Sequence, residues 1–383
     1  MVRVSKRWKA VFGTSAIITI VVGIFSSHYI QLALKEHISL REFIIRTIKA
    51  NQNLDVNSSM YGSFFNNSWQ TLWAIDVLEA LQAISSINKS SFLAFLVGSN
   101  KTGLADLPLM ANAKNNVDRA FIIVHTAYTI GEVSELPASM VDMIKETIRI
   151  YQNATYSAEF PWWMIDRYFL FETARILNQT RYINFTLQSQ DIINSMESSY
   201  YWNREIGGLY FDVKALEELS IMKNGLALAE LHEVTRNFLL LYVASLWSDT
   251  YCGFYESFGE LGSRFAEPTL ESTSEAVLAY EKVFGTTRRP FEQSAVSSEN
   301  KPLIGKVGRN FENLLTFLQR CQNRYGLFFN KPSAVDDSNN SFQLPLTYYA
   351  VSILRAIKCL DFLNQTVRWP AQPTIVEAIS DLF

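Results

Sequence analysis

Asp166 and Arg167 are the most pointed candidate site in the sequence, because they lie shortly after two tryptophans, Trp162 and Trp163. A carboxylate and a guanidinium beside two indole rings can bind a sugar or another polar headgroup. The same residues also fit an ion pair at a helix start, next to tryptophans that pack in a core. The sequence leaves both interpretations open.

Glu271 and Glu275 are spaced four residues apart, so a helix would place them on one face. Two carboxyl groups can act as acid and base in glycoside cleavage if they flank the bond at a set separation. Two such groups on a surface helix can also simply face solvent.

Two histidines, His125 and His232, are candidate general bases. Each is flanked by apolar residues, which also fits a buried histidine with satisfied hydrogen bonds. The cysteines, Cys252, Cys321 and Cys359, are too few for a disulfide scaffold and fit packing as small apolar side chains, although one bridge is possible.

Aromatic turns recur along the chain and precede apolar runs with helical spacing. The clearest turns are residues 61–65, 207–211, 252–255 and 325–329, and weaker ones lie at 102–104 and 160–163. Their spacing of roughly 40 to 70 residues indicates stacked supersecondary units. One unit cannot bury its apolar face alone, so the units must pack on one another.

Each turn is expected to lead into a long helix, and second helices lie between them. The expected long helices are residues 68–84, 118–131, 164–177, 227–247, 269–284 and 344–362. The expected second helices are residues 139–152, 182–200 and 306–323. Alternating strand patterns are sparse, so the predicted class is all-α.

A membrane anchor is predicted at the N-terminus. Four basic residues within the first nine precede an uncharged, apolar stretch at 10–31, which is long enough to span a bilayer. The basic flank predicts a cytoplasmic N-terminus and an extracytoplasmic body, and a cleaved signal peptide is the alternative. The predicted regions are a flank and anchor (1–31), a linker helix (32–56), a helical domain (57–370) and a tail (371–383).

Nine Asn-x-Ser/Thr glycosylation sequons agree with export. They begin at Asn57, Asn66, Asn88, Asn100, Asn153, Asn178, Asn184, Asn339 and Asn364. An Asn- and Ser-rich composition is the simpler explanation. A net charge of −3 gives no electrostatic footprint for nucleic acid, so no nucleic-acid partner is predicted.

The last turn carries a resemblance to a known family. Gln322 and Asn323 precede Gly326-Leu327-Phe328, and a helix with Thr347, Tyr348, Tyr349 and Ala350 follows. The pattern resembles the repeat of protein prenyltransferase β-subunits and of squalene and terpenoid cyclases, over roughly residues 57–365. The resemblance implies an all-α (α/α)6 toroid, with six inner helices around a central cavity; an open solenoid is the alternative.

The family's catalytic signatures do not match this chain. The prenyltransferase zinc site uses an Asp and a Cys two residues apart and a later His, whereas Asp249 lies three residues before Cys252 and no His follows His232. Asp336-Asp337 is a weak counterpart of the cyclase acid motif. Cys252-Gly253-Phe254-Tyr255 also departs from the Cys-Gly-Glu-Gln of thioester proteins that share the ring. We therefore predict no metal and no cofactor.

In such a ring, polar residues near the starts of the inner helices would face the cavity. The predicted cavity residues are Trp73, Asp76, His125, Trp163, Asp166, Arg167, His232, Glu271, Glu275 and Tyr348. The expected function is binding of a lipid, an isoprenoid or a protein by a membrane-anchored domain without zinc chemistry. The alternatives are an exported carbohydrate-active enzyme, which would bind a glycan, and a diverged prenyltransferase or cyclase.

Overall fold

The computed structural model describes residues 37–58, 60–97, 113–151, 163–197, 205–223, 233–260, 266–284, 311, 313–323, 326–336 and 342–368. This part of the chain is mostly helical and has only short strands. Its α-helices are α1 (Leu40–Ala50), α2 (Ser68–Ala80), α3 (Lys89–Val97), α4 (Ala113–Thr129), α5 (Ala138–Tyr151), α6 (Trp163–Ile176), α7 (Phe185–Glu197), α8 (Ile206–Met222), α9 (Glu233–Ser245), α10 (Leu270–Phe284), α11 (Leu314–Arg320) and α12 (Leu344–Ala356). The all-α prediction is confirmed.

The even-numbered helices contact one another in a closed cycle. Each of α2, α4, α6, α8 and α10 packs against the next even-numbered helix, and α12 packs back against α2. We call these six helices the inner ring. The odd-numbered helices alternate with them along the chain, and α3, α5, α7 and α9 each pack on the inner helix that follows.

Burial differs between the two sets in the way that this arrangement requires. Helix α2 buries residues around most of its circumference, including Thr71, Leu72 and Ala74 to Leu78 with the exception of Asp76. Helix α1 buries only one stripe, formed by Leu40, Phe43, Ile44 and Ile48. A helix with one apolar stripe covers a core from outside, whereas a helix that is apolar nearly all round lies within it.

Three of the expected aromatic turns connect an odd-numbered helix to the next inner helix. Each contains a short antiparallel contact: Gln52 with Phe64, Trp247 with Phe254, and Gln322 with Phe328. The phenylalanine of each turn is almost fully buried. In the first two turns its N–H donates to a threonine hydroxyl of the following helix, Thr71 at 3.0 Å or Thr273 at 3.1 Å.

The prediction around Gly207 and Gly208 is wrong. These residues form the first turn of inner helix α8 instead of a bend, and the helix predicted at 227–247 is observed as the odd-numbered helix α9. A Cβ atom on Gly207 would lie 2.9 Å from the Glu275 carboxyl, and one on Gly208 would lie 3.0 Å from the Met164 methyl. The glycine pair therefore permits close packing of α8 on its two neighbours. Helix α3 was also not predicted.

The two ends of the described chain meet. Strand β1 (His37–Ser39) pairs antiparallel with the last strand, Thr366–Arg368, which we label β4 after β2 (Trp247–Ser248) and β3 (Gly253–Phe254). The segment expected as a linker thus contains α1, whose apolar stripe joins the core. Among the described residues no helix has the length and apolar character to cross a membrane. The predicted anchor at 10–31 and the predicted tail at 371–383 lie outside the described residues.

Candidate functional site

A cavity of about 460 Å³ lies in the middle of the inner ring. All six inner helices contribute to its lining, and the loops before α8 and α10 complete it. Sites for small molecules in proteins are typically concave and lie between packed elements, with volumes of roughly 300 to 1,000 Å³. The position and the size of this cavity make it the candidate functional site.

Nine aromatic side chains of the described residues line the cavity. They come from α2, α4, α6, α8 and α12, and we call them the aromatic wall: Trp69, Trp73, Phe121, Tyr168, Phe169, Tyr210, Phe211, Tyr348 and Tyr349. Phe121 and Phe169 stack with ring centroids 3.9 Å apart, and Trp73 stacks on Tyr348 at 6.4 Å. Because these contacts join neighbouring helices, they fix the ring orientations before any ligand arrives.

One histidine lies between two carboxylates, at the end of the cavity away from the starts of the inner helices. His125 Nε2 lies 2.9 Å from Asp76 Oδ1, and His125 Nδ1 lies 2.7 Å from Glu172 Oε1. Burial alone would lower the pKa of His125, but Asp76 and Glu172 outweigh it and raise the pKa to about 10. Burial would raise the pKa of Glu172, but His125 and Lys214 lower it to about 2. The imidazole is therefore a cation fixed between two anions.

Further charges next to this histidine are also paired. Arg175 Nε donates to Glu218 at 2.5 Å, and Arg175 Nη2 lies 3.9 Å from Glu172 Oε1. Lys214 places its ammonium 4.0 Å from the ring centroid of Tyr168 and 5.3 Å from that of Tyr210. We call Asp76, His125, Glu172, Arg175, Lys214 and Glu218 the His125 network. Its three cations and three carboxyl groups nearly balance.

The other end of the cavity has an excess of carboxyl groups, and we call it the acidic end. It consists of Glu205, Glu256, Glu271 and Glu275, near the starts of α8 and α10. The Tyr349 hydroxyl donates to Glu271 at 2.8 Å. Burial and the charges of Glu271, Glu256 and Glu205 together raise the pKa of Glu275 to about 8. Glu275 is thus mainly protonated at neutral pH.

The predicted cavity residues fall into three groups. Trp73, Asp76, His125, Glu271, Glu275 and Tyr348 line the cavity. Asp166 and Arg167 do not line it: both are buried, and Arg167 Nη2 donates 2.7 Å to Asp191 of α7. The Trp163 side chain and all of His232 lie outside the described residues.

Several important lining residues were missed by the sequence analysis. Lys214, Tyr210 and Phe211 were missed because α8 was not predicted. Glu172 does not line the cavity but contacts His125, and it carried a usable signal, since it lies four residues after Tyr168 on the same face of a correctly predicted helix. Glu205 and Glu256 lie in loops, where no periodic pattern points to a shared cavity.

Residues with metal-binding chemistry do not converge in the part of the chain that the structure describes. No group of three His, Cys, Asp or Glu side chains there could hold a metal ion. Cys252, Cys321 and Cys359 form no disulfide with one another, and Cys321 is buried. Asp249 and Cys252 lie at the turn between β2 and β3 and do not line the cavity.

The sequon asparagines that the structure describes are exposed: Asn57, Asn66, Asn88, Asn178, Asn184 and Asn364. Asn100, Asn153 and Asn339 lie outside the described residues. Attachment of glycans at the six described sites would not require burial of a sugar.

Searches against protein-family models, curated proteins and solved structures found no match.

Proposed function

We propose that this chain is an (α/α)6 toroid, similar in its repeat to prenyltransferase β-subunits, whose central cavity binds an elongated and largely apolar small molecule. In this proposal residues 10–31 anchor the domain in a membrane with its body outside the cytoplasm. The closed cycle of inner helices supports the toroid, and the aromatic wall supports the type of ligand.

The aromatic wall is the observation that carries the proposal. Rings from five of the six inner helices face one volume of about 460 Å³. Apolar ligand surface that leaves water gains roughly 25 cal/mol per Å². A chain-like lipid or isoprenoid tail can use that gain along the whole wall, whereas a flat protein surface cannot enter the cavity.

Prenyl transfer is not part of the proposal. That reaction needs a thiolate activated by zinc, and zinc needs three or four converging ligands. The described residues offer no such group, and Cys252 and Asp249 lie away from the cavity. The donor arrangement therefore supports binding without this chemistry.

One observation favours a second candidate, an enzyme acting on glycans. Glu275 is mainly protonated at neutral pH, and it shares a helix face with Glu271. Glycoside hydrolysis uses two carboxyl groups in one cleft, one of which is kept protonated as the acid. Turnover of a glycan that disappears in Glu275→Gln would support this candidate over a binding protein.

The binding proposal is tested with farnesol and the full chain in lipid nanodiscs. We expect farnesol to quench the fluorescence of Trp69 and Trp73 saturably, because both indoles line the cavity. Leu278→Trp, which adds volume to the wall, should weaken binding at least tenfold.

Ile150→Trp is the matched control, because Ile150 is 58% exposed and lies on α5, away from the cavity. It should bind farnesol as the unchanged chain does. Equal quenching of the unchanged chain and Leu278→Trp would show that farnesol acts from the bilayer, which would contradict the proposal.

A further inference from the structure

The acidic end of the cavity lacks a balancing positive charge among the described residues. The Glu275 side chain is half-buried, and its carboxyl has no ion pair and no side-chain hydrogen bond there. The basic groups that line the cavity, Lys214 and His125, belong to the His125 network at the other end, where carboxylates already accompany them. A carboxyl group that is partly withdrawn from water normally has a partner, so the surroundings of Glu275 are incomplete.

A second polar group in the same wall is also without a partner. Ser274 is 1% exposed, it lines the cavity, and its hydroxyl oxygen makes no hydrogen bond among the described residues. It directly precedes Glu275 on α10. A polar ligand group at this end would lie next to both side chains.

The four carboxyl groups are arranged for an occupant larger than a metal ion. They come from α10, from the residue before α8 and from the loop after β3, and they do not converge as metal ligands. Tyr349 of α12 faces Glu271 and Glu275, and Tyr210 of α8 faces Glu275. Carboxylates and aromatic faces together are the surroundings that organic ammonium groups prefer.

We propose that the ligand of this cavity carries an organic ammonium group, which lies among Glu205, Glu256, Glu271 and Glu275, while its apolar body lies along the aromatic wall. The inference rests on the proposed binding function and narrows it to cationic amphiphiles. The same charges repel a phosphate or diphosphate headgroup, so prenyl diphosphates are poor ligands of this chain.

Titration of Glu275 gives the proposal a pH signature. Its neighbours are the carboxyl groups of Glu271, Glu256 and Glu205 and the hydroxyls of Tyr210 and Tyr349. Burial raises the pKa of both tyrosines, so the hydroxyls remain protonated. A permanently charged ammonium should therefore bind more tightly as pH rises from 6.5 to 9 and Glu275 ionises. The affinity for a neutral ligand should stay constant or decrease over the same pH range.

The test uses octyltrimethylammonium, octanol and octyl phosphate, which share one alkyl chain and differ in charge. Isothermal titration calorimetry of the full chain in nanodiscs, with empty nanodiscs subtracted, measures each affinity at pH 6.5 and pH 9. We expect the ammonium to bind about tenfold or more tightly than octanol at pH 9, and octyl phosphate to bind least.

Two variants locate the effect. Glu275→Gln should fold normally, because the amide resembles the neutral acid that is present at pH 7, and it should remove most of the gain between the two pH values. Glu135→Gln is the matched control, because Glu135 is an exposed carboxylate outside the cavity. It should behave as the unchanged chain does.

The outcomes separate the two proposals. Equal binding of ammonium and octanol would overturn the cation preference and leave the binding function intact. Binding of none of the three, together with a failure of farnesol, would overturn the binding function itself. Displacement of the ammonium by millimolar Ca²⁺ but not by Na⁺ of equal ionic strength would identify a metal site and also contradict the inference.

Discussion

His125 connects inner helices α2, α4 and α6 by using both nitrogens of one imidazole ring. Asp76 and Glu172 lie on either side of it, and their side chains are 24% and 7% exposed. Loss of one partner from a buried ion pair costs about 3 to 5 kcal/mol, because the remaining charge stays buried without compensation. The residue therefore contributes to stability as well as to the charge of the cavity.

Replacement of His125 by Gln should lower the free energy of unfolding by about 3 kcal/mol near pH 6, because the buried Glu172 and the partly buried Asp76 lose a cation. The raised pKa of His125 means that its contribution is complete below about 6.5 and is lost as pH rises towards 10. The lowered pKa of Glu172 means that its contribution is lost as pH falls from about 4.5 to 2.

Urea unfolding followed by circular dichroism measures this difference between the unchanged chain and His125→Gln. We expect it to be largest between pH 4.5 and 6.5 and clearly smaller at pH 9. A difference that stays constant from pH 5 to pH 9 would show that the histidine is not charged in the folded protein.

Most inner helices could be predicted from the sequence because their residues reflect local turns and apolar runs, whereas α8 reflects contacts with other helices. Helices α2, α4, α6, α10 and α12 were predicted because each follows a turn signal and has a long apolar run. Helix α8 was not, because Gly207 and Gly208 usually mark bends. Here the two glycines leave room for the Glu275 and Met164 side chains of neighbouring helices. No pattern in the local sequence indicates that contact.

The candidate site was predictable to a similar degree. Six of its residues were proposed because they are polar residues near helix starts, which face the centre of any ring of this kind. The pairing of His125 with Glu172 was not proposed, because the two lie on different helices and depend on how these pack. Arg167 was misplaced since position on a helix alone does not distinguish the cavity side from the side facing α7.

A pair of glycines tests how the first aromatic turn is held. Gly62 has a φ of 89°, and a Cβ atom there would lie 1.8 Å from the Ser91 carbonyl oxygen of α3. Gly131 has a φ of 80° but nothing within 4 Å of the same position. Gly131→Ala should therefore cost only about 1 to 2 kcal/mol of backbone strain.

Gly62→Ala should cost at least about 2 kcal/mol more, since the turn or α3 must also move. Thermal unfolding of both variants measures the difference. Equal melting temperatures would mean that the turn does not pack on α3 as described.

For the whole molecule, closure of the ring depends on contacts between its first and last units. Strand β4 pairs with β1, the Leu40 N–H donates to the Gln365 carbonyl at 2.9 Å, and Arg355 of α12 forms an ion pair with Glu79 of α2. A chain that ends at Arg368 keeps these contacts, whereas one that ends at Gln365 loses β4.

We expect the chain that ends at Gln365 to exchange the amide hydrogens of α1 and α12 faster than the chain that ends at Arg368. The reason is that the contact between the first and last units of the ring has lost strand β4. Hydrogen exchange followed by mass spectrometry compares the two. Identical exchange rates of α1 and α12 in the two chains would mean that β4 does not stabilise the contact between the first and last units.

The pairing of His37–Ser39 with Thr366–Arg368 also has a consequence for synthesis in the cell. These partners lie more than 300 residues apart, so nearly the entire chain must leave the ribosome before the partner strand of β1 exists. Until then the backbone of β1 and the face of α2 that later packs against α12 remain available to other molecules. A nascent chain of this protein is therefore a natural client for chaperones during most of its translation.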